Sequence, residues 1–392
     1  MSETTSQSMS HTTETIALPT TSPGTERRLV VHRWGTPGAG PKVYIHAALH
    51  ADEWPGVMAA HHLIGLFDTT AAEGRIAGEI ILLPYANPIG MSQSLNGQLM
   101  GRYRFADGGG NFNRDWPDLS DPVIDLVRGK LGDDGDANKP VMREALRHAV
   151  AGLPDATEEE VHRKTLLSLS IDADYVLDLH CDSIATLHLF AQKEHTDIIM
   201  ELACDMNSPV VMVDDGVAGG CFDECNSLPW IKVRRALGLT PEALPAACFS
   251  TTVELRGHCD VSDELGAADA TNMVRFLMRR GVMSGDPGPR PVASCEATPL
   301  DGCDMFTAPC AGLIAWKRGV GEQVKIGDHI ADIIDLTASD PLQARTPVMA
   351  RQSGILFSHH TDHLIRPGEI FGKIAGKDSL AHRQGMSLLS NR

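Results

Sequence analysis

The stretch that decides the fold covers residues 43–67 and reads VYIHAALHADEWPGVMAAHHLIGLF. Val43–Ala48 is a short apolar run with the β-branched and aromatic residues that favour strands. Pro55 stands where a helix can begin, and Val57–Phe67 carries an apolar stripe behind it. The stretch therefore predicts a buried strand that leads through a short turn into a helix.

The same alternation of short apolar runs and helical stretches continues along the next 200 residues or so. Further strands are predicted at Leu29–Arg33, Glu79–Tyr85, Tyr175–Leu179, Thr186–Ala191, Val210–Val213 and Ser250–Leu255. Several of them are apolar on both faces, as in a sheet that helices cover on both sides. A helix is predicted at Asp263–Arg280, with Ser262 as its N-cap. The pattern predicts an α/β domain with a parallel or mixed sheet flanked by helices.

Shifts in composition predict the domain boundaries. Residues 1–26 are rich in Ser and Thr and are predicted to be a disordered tail. Residues 27–284 are predicted to form the α/β domain. Within it, 118–174 is a polar, partly helical insertion, helical from Val141, that serves as a lid or an oligomer contact. Residues 285–293 are rich in Gly and Pro, which is typical of a linker.

A weak internal repeat follows the linker. Gly312 and Gly327 are 15 residues apart, and Gly354 and Gly368 are 14 apart, each pair in a segment of short strands and Gly turns. Two half-units are therefore predicted to pair within residues 294–376, before a tail at 377–392. The repeat resembles the biotinyl/lipoyl-type β-barrel. Neither half has the tight-turn lysine that carries the prosthetic group, so we expect a small all-β barrel-like domain that walls the active site or forms oligomer contacts.

Charge and cysteine content exclude several classes of partner. The chain has 392 residues with 34 Lys and Arg against 51 Asp and Glu, a net charge of −17. Nucleic acids and anionic membranes need a basic surface, so neither is expected as a partner. Nine irregularly spaced cysteines indicate free thiols in a reducing compartment. No apolar stretch approaches the roughly 18 residues of a membrane helix, and we expect a cytoplasmic protein.

The first candidate site combines two predicted strand ends. His50 and Glu53 are spaced to close on one metal ion at a strand-to-helix junction, where sites lie in open α/β sheets. The alternative is a solvated loop pair. His180 ends a buried strand and is either the third ligand or a hydrogen-bonded core histidine. Asp178 lies two residues earlier, on the same side of the strand, where it can orient His180.

The second and third candidates carry charge. Glu254 lies inside a β-branched run, where a carboxylate is costly to bury. It is either ion-paired, for instance with Arg256, or a general base. Arg102, Arg104, Asn113 and Arg114 form a local cationic patch in a Gly-rich loop. Arginine can hold a carboxylate in a bidentate fork, and the alternative is a loop with surface ion pairs.

These residues converge on a family. Five elements follow one another in order: His50-x-x-Glu53, Asn87-Pro88, Asn113-Arg114, Asp178-Leu179-His180 and Glu254. Together they resemble the succinylglutamate desuccinylase/aspartoacylase family of the zinc carboxypeptidase superfamily, over about Val43–Arg280. A fused C-terminal barrel also occurs in bacterial members. The resemblance implies a zinc-carboxypeptidase-like mixed sheet flanked by helices.

The resemblance also implies a division of roles. His50, Glu53 and His180 bind one zinc ion with an open position for water, and Glu254 is the general base that passes a proton to the leaving amine. Asp178 matches the strand motif and supports His180.

For the cationic patch, the resemblance implies two substrate contacts. Arg114, with Asn113, grips the carboxylate of the substrate. An upstream arginine polarises the scissile carbonyl. Arg104 is our choice and Arg102 the alternative, because Gly108-Gly109-Gly110 makes the spacing ambiguous.

The implied function is a zinc-dependent amidohydrolase that deacylates a small N-acyl amino acid of the acetyl or succinyl type, in amino-acid metabolism. The alternative is a zinc carboxypeptidase that cleaves a C-terminal or isopeptide-linked residue, since the superfamily shares these ligands. A non-enzymatic binding protein is the third hypothesis. The expected partner is the small-molecule substrate, with a homo-oligomer as a further expectation.

Overall fold

The structure, a computed structural model, describes residues 11–105, 109–215, 220–340 and 342–384. Residues 1–10 and 385–392 of the two predicted tails, and Gly108 of the glycine run, lie outside the described residues. No helix in these ranges has the length and apolar character needed to cross a membrane.

Eight α-helices lie in the described ranges: α1 Pro55–Ala72, α2 Pro88–Met91, α3 Ser120–Val127, α4 Gly135–Ala151, α5 Glu158–Ser170, α6 Thr196–Met206, α7 Phe222–Leu237 and α8 Asp263–Arg279. Twenty strands accompany them: β1 Thr12–Ala17, β2 Arg28–Gly35, β3 Lys42–Ala47, β4 Glu79–Leu83, β5 Ser94–Leu95, β6 Gln98–Leu99, β7 Tyr175–Asp182, β8 Ile184–Ala185, β9 His188–Gln192, β10 Val210–Asp214, β11 Phe249–Gly257, β12 Ala297–Pro299, β13 Cys303–Thr307, β14 Gly312–Trp316, β15 Gln323–Val324, β16 His329–Ile334, β17 Arg345–Met349, β18 Gly354–His359, β19 Leu364–Ile365 and β20 Ile370–Gly376.

The chain divides into two compact units. The first consists of the residues up to His180, Gly220–Thr252 and Val261–Pro291, and the second of Cys181–Gly219, Val253–Asp260 and Val292–Arg392. The last boundary, at Val292, falls within the predicted linker. Residues 181–219 and 253–260, however, group with the C-terminal residues, although the sequence places them in the α/β domain.

The sheet of the first unit has the strand order β1-β2-β4-β3-β7. Strands β4 and β7 run parallel to β3 on either side, whereas β2 is antiparallel to β4 and β1 is antiparallel to β2. Ile45 of β3 pairs with Leu82 and Leu177, and all three side chains are fully buried. The mixed sheet, buried on both faces as predicted, forms because these strands are apolar at successive positions.

The turn between β3 and α1 is held by close backbone packing. Helix α1 begins at Pro55, as predicted, and buries Leu63 and Phe67. A Cβ atom at Gly56 would lie 2.9 Å from the Cβ of Leu179, so only glycine allows the helix to start this close to β7. The Asn87 amide donates to the carbonyl of Leu49 at 2.8 Å, which holds the turn from the other side. Residues 50–53 are therefore fixed where the two strands end.

The polar insertion folds into three helices of the first unit. Helix α4 begins at Gly135, six residues before the predicted start, because the Asp134 carboxylate caps it by accepting from the amides of Asp136 and Ala137. Helix α5 begins with a capping box between Thr157 and Glu160. Apolar residues of both helices belong to one core cluster with side chains of β3, β4 and α7.

The N-terminal tail is ordered in part, and the prediction of disorder is wrong for residues 12–17. These residues form β1, which pairs antiparallel with β2 from Thr12–Arg33 to Ala17–Arg28. Five of the six β1 residues are exposed. The strand therefore lacks the alternation of apolar and polar residues that predicts a strand from sequence. Backbone hydrogen bonds to β2 hold it in place.

The second unit contains three sheet segments. Strands β9, β10 and β12 are parallel neighbours. The C-terminal residues form two further sheets, β13-β20-β18-β15 and β17-β16-β14-β19, and β8 pairs with β18. The two predicted half-units pair with each other through β14–β19 and β15–β18. Among the described residues the pairing leaves two separate sheets, not one closed barrel.

A partly buried ion pair lies within the second unit. The Asp182 carboxylate accepts from the Lys373 ammonium at 2.6 Å, from the Ser358 hydroxyl at 2.7 Å and from the Ser183 amide at 2.8 Å. Although burial disfavours its charge, Lys373 and the neighbouring His188 hold the pKa of Asp182 well below its usual range. The carboxylate and the ammonium thus satisfy each other within the protein.

Candidate metal centre

Three metal-ligating side chains meet at the carboxyl ends of β3 and β7. One ligand atom from each of His50, Glu53 and His180 lies within 4.8 Å of the others. The three residues are buried, with 4%, 1% and 2% of their surface exposed. The structure therefore brings together the three ligands that the sequence motifs predict.

The parallel pairing of β3 and β7 explains why distant residues meet. Ala47 at the end of β3 pairs with Leu179 of β7, so His180 follows directly beside the turn that carries His50 and Glu53. Within that turn, Glu53 accepts from both rings. Its Oε1 lies 2.9 Å from His50 Nδ1, and its Oε2 lies 2.8 Å from His180 Nδ1.

The outer nitrogen of His180 is held by Asp178. His180 Nε2 lies 2.8 Å from Asp178 Oδ1, and His46 Nε2 lies 2.6 Å from the same oxygen. The Asn113 amide donates to the other oxygen of Asp178 at 3.4 Å. Because both carboxylates only accept, the charged His180 ring can donate to Glu53 through Nδ1 and to Asp178 through Nε2. If a metal takes Nδ1, the remaining proton on Nε2 still has Asp178 as its acceptor.

The outer nitrogen of His50 is held in the same way by a neutral side chain. His50 Nε2 lies 2.7 Å from the side-chain oxygen of Asn111. Asn111 belongs to the cationic loop, but no role of its own is predicted for it from the sequence. Both rings thus present Nδ1 to the same carboxylate.

The ionisation of the three groups is strongly coupled. Burial disfavours the Glu53 carboxylate, but the two histidines outweigh it and hold its pKa well below the usual range. Burial also opposes the charge of His180, yet Asp178 and Glu53 raise its pKa well above the usual value. For His50, burial and the nearby Arg102 lower the pKa to about 4. Without a metal, one imidazolium, that of His180, neutralises the cluster.

The donor set fits a divalent cation. Each ring has both of its nitrogens against an oxygen acceptor, although a neutral imidazole carries only one N–H. A cation held by the two Nδ1 atoms and the Glu53 carboxylate resolves this mismatch, because each Nε2–H remains for its outer oxygen. Two histidines and one carboxylate with a fourth position open are typical of catalytic metal sites.

The two candidate arginines make different contacts. Arg102 donates to Glu53 Oε1 at 2.8 Å, so it touches a ligand of the cluster. Arg104 pairs with Glu159 and donates to the carbonyl of Gly109 at 3.0 Å. Neither of these contacts involves the three ligands. The structure thus brings the alternative, Arg102, to the cluster, whereas our choice, Arg104, is held by the helix that carries Glu159.

Asn113 and Arg114 are both buried beside the cluster. Asn113 Oδ1 accepts from the amide of Phe222 at 2.8 Å, which ties the loop to the start of α7. The Arg114 guanidinium donates to the sulfur of Cys221 at 3.0 Å and to the carbonyl of Asn113. Within the described part of the chain, no carboxylate forms an ion pair with Arg114. A buried guanidinium that forms no ion pair suits an anionic ligand.

Glu254 lies on β11 and belongs to the second unit. It is half-buried, and its neighbours Val253 and Leu255 are fully buried. The three ligands, Asp178, Asn113 and Arg114 belong to the first unit, so the role of Glu254 as general base stays a prediction from the resemblance.

Two polar residues that touch the site escaped the sequence reasoning. Asn111 holds His50, and His46, which looks like a structural histidine, holds Asp178. A signal existed for His46, since it lies on β3 at even spacing from Tyr44, whose hydroxyl lies 2.9 Å from its Nδ1. No local pattern distinguishes Asn111 from Asn113.

Comparison with known proteins agrees with the motif resemblance. Residues 39–125 match the sequence model of the succinylglutamate desuccinylase/aspartoacylase catalytic domain. This segment carries two of the three ligands and the whole cationic loop. No curated protein sequence matches the chain significantly.

Solved structures share the fold over nearly the full length. A succinylglutamate desuccinylase/aspartoacylase family protein from Shewanella amazonensis is 25% identical, with a TM-score of 0.81 over 93% of this chain and 99% of that one. A protein from Shewanella frigidimarina that carries the same family description is 21% identical, with a TM-score of 0.82 over 94% and 98%. The product-bound ectoine utilization protein EutE (DoeB) from Ruegeria pomeroyi is 20% identical, with a TM-score of 0.63 over 93% and 95%.

Proposed function

We propose that the protein is a member of the succinylglutamate desuccinylase/aspartoacylase family and a zinc-dependent amidohydrolase. Its substrate is a small N-acyl amino acid of the acetyl or succinyl type, which it cleaves to a carboxylate and a free amino acid. The buried His50, Glu53 and His180 cluster is the observation that carries the proposal. The match of residues 39–125 to the family's catalytic domain supports it.

In this proposal, His50, Glu53 and His180 hold the zinc ion. Zinc in such a site acts as a Lewis acid and makes water a better nucleophile at neutral pH. Asp178 and Asn111 keep the two rings oriented, since each accepts the outer N–H of one histidine. The three ligands together carry one negative charge once His180 has lost its extra proton, so the site remains attractive to a cation.

The arginines divide the recognition of the substrate. Arg114 binds the substrate carboxylate, because its buried guanidinium has no ion pair within the described residues. Arg102, which touches Glu53, is the arginine that we assign to the scissile carbonyl in preference to Arg104. Holding the carboxylate and the carbonyl at once would orient the amide for attack. Glu254 is assigned as the general base that takes the proton from water and gives it to the leaving amine.

The test pairs metal analysis with a substrate panel. Freshly purified protein should contain one zinc per chain and hydrolyse N-acetyl or N-succinyl amino acids, while the same compounds with the carboxylate blocked as an amide should be poor substrates. C-terminal dipeptides are the matched comparison, because their preferential cleavage would favour a carboxypeptidase. Protein without zinc and without hydrolysis of any N-acyl amino acid contradicts the proposal.

Glu254→Gln separates chemistry from binding. The variant should lose turnover by about 100-fold or more, the usual contribution of a general base, and should keep its zinc and its affinity for the substrate. Unchanged turnover would remove Glu254 from the mechanism while leaving the zinc site intact. Cytoplasmic location, a homo-oligomer and a C-terminal barrel that walls the active site stay predictions.

A further inference from the structure

We infer that Asn111 is a positioning residue that sets the tautomer of His50 and thereby its affinity for the metal. The inference rests on the metal site of the proposed function and on no step of the hydrolysis. The side-chain oxygen of Asn111 lies 2.7 Å from His50 Nε2 and 2.7 Å from the backbone nitrogen of Asn113.

The contact with Asn113 fixes which way the Asn111 amide points. A backbone N–H can only donate, so the atom that faces Asn113 must be the oxygen. With the amide reversed, its NH2 group would face the N–H of Asn113. The same oxygen faces His50, and therefore the proton of the neutral ring belongs on Nε2 when a metal occupies Nδ1.

Asn111 lies in a hairpin whose arms are residues 101–104 and 109–113, and this hairpin packs against the turn of residues 50–53. The amide of Phe112 donates to the carbonyl of Arg102 at 3.1 Å, which joins its two arms. In the first arm, the carbonyl of Gly101 accepts from the amide of Ala51 at 3.1 Å. A Cβ atom at Gly101 would lie 2.3 Å from the backbone nitrogen of Asp52, so this close approach requires glycine.

Each arm of this hairpin therefore contacts one ligand. Arg102 in the first arm binds Glu53, and Asn111 in the second binds His50. Because Arg102 and Phe112 are joined by a backbone hydrogen bond, Asn111 cannot move away from His50 without disturbing the arm that holds Glu53. The hairpin thus restrains the geometry of two ligands before a metal arrives.

Substitutions can separate the two hydrogen bonds of Asn111. Asn111→Leu removes both. Asn111→Ser can still cap the amide of Asn113 from its shorter side chain, but it withdraws its oxygen from His50. Asn111→Asp keeps an acceptor at the same position. Asn272→Leu, on the surface of α8, is the matched control, since Asn272 is also half-buried.

The readout is zinc affinity by competition with a chelator, together with the absorption spectrum of the cobalt(II)-substituted protein. Loss of an outer-sphere partner of a metal-bound histidine typically weakens metal binding by about 10- to 100-fold. We expect this loss and an altered cobalt spectrum in Asn111→Leu and Asn111→Ser. Asn111→Asp should restore both the affinity and the spectrum, and Asn272→Leu should match the wild type.

Wild-type zinc affinity in Asn111→Ser would overturn the inference, and so would weak binding in Asn111→Asp. If Asn111→Leu fails to fold, the serine and aspartate variants still decide the question. Failure of the inference is distinguishable from failure of the proposed function. If zinc binding depends on Asn111 in this way but no amide is hydrolysed, the inference about Asn111 stands and the proposed function is rejected.

Discussion

Two polar clusters, a buried one in the first unit and a partly buried one in the second, differ in how their hydrogen bonds are satisfied. In the second unit, Asp182 accepts from Lys373, Ser358 and Ser183, and every contact joins a donor to an acceptor. In the first unit, His50 and His180 each have an acceptor at both nitrogens, so a neutral ring always leaves one contact without a proton.

The difference separates a structural cluster from a binding site. An ion pair in which each contact joins a donor to an acceptor needs no ligand, and its removal affects folding. A buried set of surplus acceptors is complete only with a proton or a cation. The structure therefore predicts that substitutions in the first cluster change metal binding and that substitutions in the second change stability.

The largest effect is expected from removing a metal ligand. His180→Ala should lower kcat/KM by about 1000-fold or more, because the several kcal/mol that a metal contributes to the transition state are lost. Zinc content, measured on the same preparation, should fall with the activity. His61→Ala, at an exposed position of α1, is the control and should keep both. Full activity in His180→Ala would contradict the assignment of the first cluster as a metal-binding site.

The next effect concerns folding. Lys373→Met leaves the partly buried Asp182 carboxylate without its ammonium partner, which should lower the free energy of unfolding by at most about 3 kcal/mol. The double variant Asp182→Leu with Lys373→Met should recover most of this loss, since no charge is then stranded. Urea unfolding measures both. Zinc affinity should stay unchanged, and its loss in Lys373→Met would contradict the division of roles.

The pH dependence of the same pair has a defined sign. The pKa of Asp182 is lower in the folded protein than in the unfolded chain. Its contribution to stability is therefore present above the unfolded-state value of about 3.9 and is lost as the pH falls through the folded-state pKa. The wild type should accordingly lose stability relative to the double variant in strong acid, because the double variant lacks this carboxylate.

A smaller effect is expected for the buried arginine. Arg114→Met should raise KM for a carboxylate substrate by about 10- to 100-fold, the size of a lost charge-assisted hydrogen bond. The amide-blocked substrate should be almost unaffected by the substitution. An equal loss for both substrates would show that Arg114 acts on structure and not on the carboxylate.

The smallest effect is a gradual change of zinc affinity with pH. The pKa of His180 is raised above its usual value in the metal-free protein, so a metal must displace its proton. Apparent zinc affinity should therefore weaken by about tenfold for each pH unit below that pKa. Asp178→Asn removes one cause of the raised pKa and should flatten this dependence. Chelator competition at several pH values provides the measurement.

Much of the first unit could be predicted because its strands are strongly apolar. The predicted strand Glu79–Tyr85 and helix Asp263–Arg280 differ from β4 and α8 by only one or two residues at one end. Strand β1 was missed, because an exposed edge strand carries no alternating pattern. The grouping of residues 181–219 with the C-terminal residues was not foreseen, because local periodicity contains no information on which strands pair.

The candidate site shows the same limit. His50, Glu53 and His180 were predictable, since they lie near the carboxyl ends of two recognisable strands and match an ordered motif. The choice between Arg102 and Arg104 was not, because both lie in one loop and only the contact with Glu53 distinguishes them. The role of Asn111 could not be predicted for a related reason. It depends on the amide oxygen facing the His50 ring, which only the structure shows.

The central claim is that a single cation completes the cluster of His50, Glu53 and His180. The most direct test is a crystal structure of the zinc-loaded protein with anomalous data collected on both sides of the zinc absorption edge. We predict one anomalous peak at about 2.0 to 2.2 Å from the Nδ1 atoms of both histidines and from a carboxylate oxygen of Glu53. The absence of a peak between these atoms, or zinc bound only elsewhere, would contradict the claim.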